Sequence, residues 1–142
     1  MIPTPTSRHS ILAVSTGGAT VSATLRGHTV ATDQPLRLGG TDTAPSPLEL
    51  LSVSLATCIA LYVHRYCEAE ALDDAELAVE VKPFWRDDRI GRFDVLLHLP
   101  DDFPAAHRAA IEEVARKCPV HHTLAQAPEI TFHLPEPALA AP

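Results

Sequence analysis

The chain has 142 residues, enough for one domain with a core of its own, and its 46% hydrophobic and 20% charged residues are those of an ordinary globular protein. A formal charge of −7, with no cluster of Lys and Arg, argues against a nucleic-acid partner, because binding to a phosphate backbone relies on concentrated positive charge. Three cysteines, at positions 58, 67 and 118, do not make the even, closely spaced framework of a secreted disulfide scaffold.

The opening "MIPTPTSRHSILAV" lacks a basic segment followed by an apolar one, so no secretory signal is expected. Residues 1–9 and 135–142 are rich in proline and are expected to be flexible ends of a single domain spanning 1–142. "ILAVST", "TVSATLRG" and "HTVATD" alternate β-branched with small or polar residues between Gly17-Gly18 and Gly27, which predicts a three-stranded antiparallel meander. The loop "LRLGGTDTAPSPLELL" then ends in a helix start, with Ser46 as N-cap, Pro47 in the first turn and Glu49 three residues after the cap. A helix over 47–69 follows. It is apolar nearly all round as far as Val63, the pattern of a helix running through the middle of a structure. The apolar run Leu50 to Val63, broken by Ser52, Ser54 and Thr57, is too short to cross a bilayer, so a soluble cytoplasmic protein is expected.

Two strands, "LAVEVKPFWRDD" and "RFDVLLHLP", are predicted around a turn at Asp87 to Gly91, then an amphipathic helix over 104–117. A short helical turn begins at Pro119, and "EITFHL" is predicted as a last strand. The order βββ-α-ββ-α-α-β indicates an α+β fold. So apolar a central helix needs covering on both sides, and a second copy of the chain could complete the cover.

Cys58 lies in the middle of this helix in "SLATCIALYVHRYC", where it is either a small hydrophobe in a core or a reactive thiol. The helix macrodipole acts at helix ends, so a thiolate here needs a cation or donated hydrogen bonds. Arg65, seven residues on, shares its helix face about 10 Å further along the axis; Arg26 and Arg37 are further candidates. Cys67 falls on the opposite side and reads as packing. Cys118, before Pro119, can sit at the start of a helical turn whose free N–H groups favour an anion, with Arg116 and Lys117 close in sequence; packing is the alternative. Cys58, Cys118, His121 and His122 could also form a zinc site, although "CPVHH" lacks a second close pair of ligands. No GxSxG elbow, P-loop or GxGxxG occurs.

"GGTDTAPSPLELLSVSLATC", followed sixty residues after its cysteine by the cysteine of "KCPVHHTL", resembles the OsmC/Ohr superfamily, the osmotically inducible and organic hydroperoxide resistance proteins, over about residues 10–134. The resemblance implies an OsmC-like α+β fold in which two chains interlock into a homodimer, with the central helices back to back inside wrapping sheets. It also implies that Cys58 is the peroxidatic thiol and Cys118 the thiol that resolves it. The substrate would be an organic hydroperoxide, the reductant a dithiol or a redox protein, with no cofactor, metal, nucleic acid or membrane. Leu55, Ile59, Leu61 and Tyr62 would favour an apolar peroxide. The hydroperoxide-resistance branch carries an arginine after the Gly-Gly of its N-terminal strands, where Ala19 stands here, and a glutamate directly after the helix-opening proline, where this chain has Leu48 and then Glu49. Arg26 or Arg65, with Glu49, would then assist Cys58. The alternative is a dimeric protein of the same family that binds a small apolar molecule without chemistry.

Overall fold

The computed structural model describes residues 9–135, so the expectation of flexible ends falls almost wholly outside the described residues. Three strands, β1 (Leu12–Gly17), β2 (Thr20–Leu25) and β3 (His28–Thr32), form an antiparallel meander. The helix α1 (Pro47–Ala69) follows, then a hairpin of β4 (Ala78–Arg86) and β5 (Arg89–His98). A 3-10 turn over Ala105–His107 leads into α2 (Arg108–Ala115), and α3 (Pro119–Ala125) completes the order.

The turns follow from backbone chemistry. Between β2 and β3, Arg26 and Gly27 have φ of 50° and 81°, the paired left-handed residues of the two-residue turn that matches strand twist. The β4–β5 turn is tighter than expected: Arg86 pairs with Arg89 across Asp87 and Asp88, and Asp87 takes a φ of 57°, which aspartate tolerates better than most residues. At the start of α1 the expected capping box is complete. The Ser46 hydroxyl accepts from the Glu49 N–H at 3.4 Å, and the Glu49 carboxylate accepts from the Ser46 N–H at 2.7 Å.

Every fourth residue of α1 from Leu55, namely Ile59, Val63 and Cys67, turns inward, and each is at most 3% exposed. This stripe packs with Phe103, Ile111, Ala115 and Cys118, while Val79, Val81, Phe93 and Leu97 of the hairpin cover it from one side. The opposite face of α1 stays uncovered within one chain: Val53 is 49% and Leu61 45% exposed. The N-terminal sheet likewise displays Leu12, Val14 and Val30, and among the described residues none of its strands packs extensively on an element outside the sheet.

Two expectations need correction. "EITFHL" forms no strand; Ile130, Phe132 and Leu134 are 73–98% exposed. Its alternation suits a strand, but a strand exists only where a neighbour takes its hydrogen bonds. The bilayer argument from run length also fails. All 23 residues of α1 are long and apolar enough to cross a membrane by length and composition; what places the helix inside a folded domain is its packing against β4, α2 and α3.

Candidate functional site

The loop between β3 and α1 sets the entry to the central helix. Asp33, 1% exposed, accepts bonds from the backbone N–H groups of Gln34, Thr41 and Thr43 and from the hydroxyls of Thr41 and Thr43, at 2.7–3.1 Å. The Thr41 hydroxyl, then the Thr43 N–H, hold its carboxyl far below the usual carboxylate range, against the opposing effect of burial. The turn comes so close on itself at Gly40 that a Cβ there would stand 1.8 Å from the Gln34 carbonyl oxygen. The "DQP" stretch, Asp33 to Pro35, thus clamps the loop that delivers Ser46 to its cap.

Cys58 is half-buried at the edge of the inward stripe of α1, one position before Ile59. Cys118 is 0% exposed and is the residue preceding α3. The fold brings the two together: Cys58 packs against the core cluster containing Cys118, close enough to bear on the Cys118 thiol. Burial pushes the Cys118 thiol up and the neighbouring Cys58 pushes it the same way, while the backbone N–H groups of His121 and Val120 pull against them. The sulfur closes no full capping bond to α3. Cys67 is 0% exposed, and burial raises its thiol as well, the condition of an inert packing cysteine.

The other candidate residues lie apart within this chain. Glu49 precedes Cys58 by nine residues, about 14 Å along the axis and on the opposite helix face. Its carboxylate is occupied by the cap: the Ser46 N–H, then the Ser46 hydroxyl, hold it below its ordinary value, with a smaller pull from Arg37. Arg26 is exposed at the tip of the β2–β3 hairpin. Arg65 is exposed on the face of α1 shared with Cys58. Leu55 and Ile59 belong to the core and Tyr62 is half-buried, but Leu61 points away with the exposed face. No group of three or more His, Cys, Asp or Glu among the described residues is arranged to hold a metal. His121 donates from Nδ1 to the Arg116 carbonyl at 2.9 Å.

A feature that sequence reading missed is a cavity of about 920 Å³ bounded by α1, β5, α2 and α3. Leu55 and Ile59, on either side of Cys58, form part of its wall, as does His121, three residues after Cys118. From α2 and the Arg116 that caps its C-terminus it takes Arg108, Ile111, Glu112, Ala115 and Arg116 itself. Their i, i+3, i+4, i+7, i+8 spacing was the available signal that one mixed face of this helix looks inward.

The sequence matches, over residues 40–133, the family model described as OsmC-like protein. No curated protein matches it. Among solved structures, an osmotic stress induced and detoxification response protein of Psychrobacter arcticus is similar at a TM-score of 0.72 and 20% identity, over 87% of this chain and 91% of that one. An OsmC-like protein of Mycoplasma pneumoniae is similar at 0.64 and 21% identity, over 85% and 89%. An organic hydroperoxide resistance protein of Elizabethkingia anophelis is similar at 0.59 and 13% identity, over 87% and 91%. These likenesses share the two antiparallel sheets and the helices described above, and with the family match over most of the sequence they establish that the chain belongs to the OsmC-like protein family.

Proposed function

We propose that this protein is a thiol-dependent peroxidase for organic hydroperoxides, with Cys58 as the attacking sulfur and Cys118 as its resolving partner. The observation that carries this reading is the pairing of two reduced thiols sixty residues apart in sequence, one half-exposed and one fully buried. Names of similar structures, such as the organic hydroperoxide resistance protein of Elizabethkingia anophelis, support it at the level of the family.

The chemistry balances without a cofactor. Cys58, as thiolate, attacks the hydroperoxide oxygen remote from carbon; an S–O bond forms, the O–O bond breaks, and the alkoxide leaves as an alcohol after taking up a proton. The Cys118 sulfur then displaces the sulfenic oxygen, which departs as water, and a Cys58–Cys118 disulfide remains. A dithiol or a redox protein returns both sulfurs to thiols by exchange. Burial keeps Cys118 protonated until a sulfenic acid forms beside it, and its neighbours His121 and Val120 offer N–H groups to the sulfur as it becomes nucleophilic. Arg65, and Arg26 from the N-terminal sheet of a second copy, are the proposed cations, and a homodimer that covers the outer face of α1 is part of the same reading.

The test is a thiol count. Reduced protein, given one equivalent of cumene hydroperoxide and quenched in denaturant, should fall from three free thiols to one, and Cys58→Ser should stop that loss. A protein that binds an apolar molecule without chemistry would keep all three, and that result overturns the proposal.

A further inference from the structure

The cavity walled in part by Leu55 and Ile59, the neighbours of Cys58 along α1, is neither uniformly apolar nor electrically balanced. Its floor is hydrocarbon, from Leu55 and Ile59 of α1, Phe93 and Leu97 of β5 and Ile111 of α2. Its rim carries three guanidinium groups, those of Arg92, Arg108 and Arg116, and two carboxylates, those of Asp94 and Glu112. Both carboxylates are engaged: Arg92 Nε lies 2.9 Å from Asp94 Oδ1, and Arg116 Nη2 donates to Glu112 Oε1 at 2.7 Å. Arg92 also lies over the Phe84 ring, 4.2 Å from its centroid. Arg108 alone of the three makes no ion pair among the described residues.

A guanidinium presents donors in a planar fork suited to a carboxylate. Set at the mouth of an apolar cavity within the common size range of ligand sites, it selects a molecule with an anionic head and a hydrocarbon body. We infer that Arg108 is a specificity-determining residue, anchoring the carboxylate of an amphipathic acid whose apolar chain lies along Leu55 and Ile59 beside Cys58. The consequence for turnover, a preference for hydroperoxides bearing a carboxylate over neutral ones, rests on the peroxidase reading; the binding itself does not.

The experiment therefore omits peroxide. Decanoate and decan-1-ol, which share a chain and differ in the head, are titrated into the full-length reduced protein by calorimetry, for the wild type, Arg108→Gln and Lys82→Gln. Decanoate should bind at least about tenfold more tightly than the alcohol, the size expected of one charge-assisted pair. Arg108→Gln should bring the two ligands to within about twofold, and Lys82→Gln, which removes a paired cation outside the cavity, should keep the preference. Equal binding of acid and alcohol by the wild type, no binding of either, or a preference untouched by Arg108→Gln overturns the inference. Decanoate binding that obeys these expectations in a protein losing no thiols to cumene hydroperoxide would instead count against the peroxidase alone.

Discussion

Asp33 shows how one buried charge can organise a loop. Five donors converge on its two oxygens, so the ionised form is stabilised in the folded state and the group titrates well below an unfolded aspartate. A depressed folded value means that its contribution is present above the unfolded value, about 3.9, and is lost progressively as pH falls below it. Asp33→Asn should therefore lower the urea midpoint at pH 7, and the gap from wild type should narrow progressively as pH falls below about 4; a gap that stays constant on acidification would contradict this account. The cysteines make a related point about context. Cys58, Cys67 and Cys118 are the same chemical group, yet Cys67 is raised by burial and then by Asp74, whereas Cys118 is raised by burial and by Cys58. Spacing along the helix placed Cys67 away from Cys58, but nothing in the residues around Cys118 said which helix face it would meet.

Among the elements, α1 was the most legible, because its start is written in local chemistry. Ser46→Ala should cost about 1 kcal/mol of unfolding free energy in urea titration, the usual worth of an N-cap. Glu49→Gln should lower stability only slightly, since glutamine keeps the capping-box bond but loses the negative charge that the Ser46 donors and the helix N-terminus favour. If Glu49 also assists Cys58 from a second copy, the same variant should slow peroxide-dependent thiol loss far more than its small shift of the urea midpoint accounts for, which separates the two roles. The helix over 104–117 was foreseen as one element, but it divides into a 3-10 turn and α2 at Arg108, beside the hydrogen bond of 2.7 Å between Tyr66 and His107 that ties this turn to α1. The last strand was misread for a different reason. Alternation of Ile130, Phe132 and Leu134 encodes a face, and only a neighbouring strand converts a face into structure.

Taken whole, the molecule buries one side of its central helix and leaves the other bare. Val53 and Leu61 on α1, the open N-terminal sheet with Leu12 and Val14, and the exposed Phe132 together display more apolar surface than an isolated small domain usually does. Association with a second copy would remove this surface from water. Leu61→Lys should then weaken self-association by tenfold or more in sedimentation velocity, since it puts a charge into the surface to be buried. A wild-type protein that sediments as a monomer at micromolar concentration would rule that out.

The order of elements as far as α3 and the capped start of α1 were determined by the sequence itself, because capping and turn chemistry act over a few neighbouring residues; which side of α1 turns inward was not, since its residues are apolar nearly all round as far as Val63. The meeting of Cys58 with Cys118, the engagement of Glu49 in its cap away from both sulfurs, and the cavity that gathers Arg108 with Leu55 and Ile59 were decided only by tertiary structure. Each depends on how α1, β5, α2 and α3 pack, and packing is a property of shapes meeting across the chain that no local pattern contains.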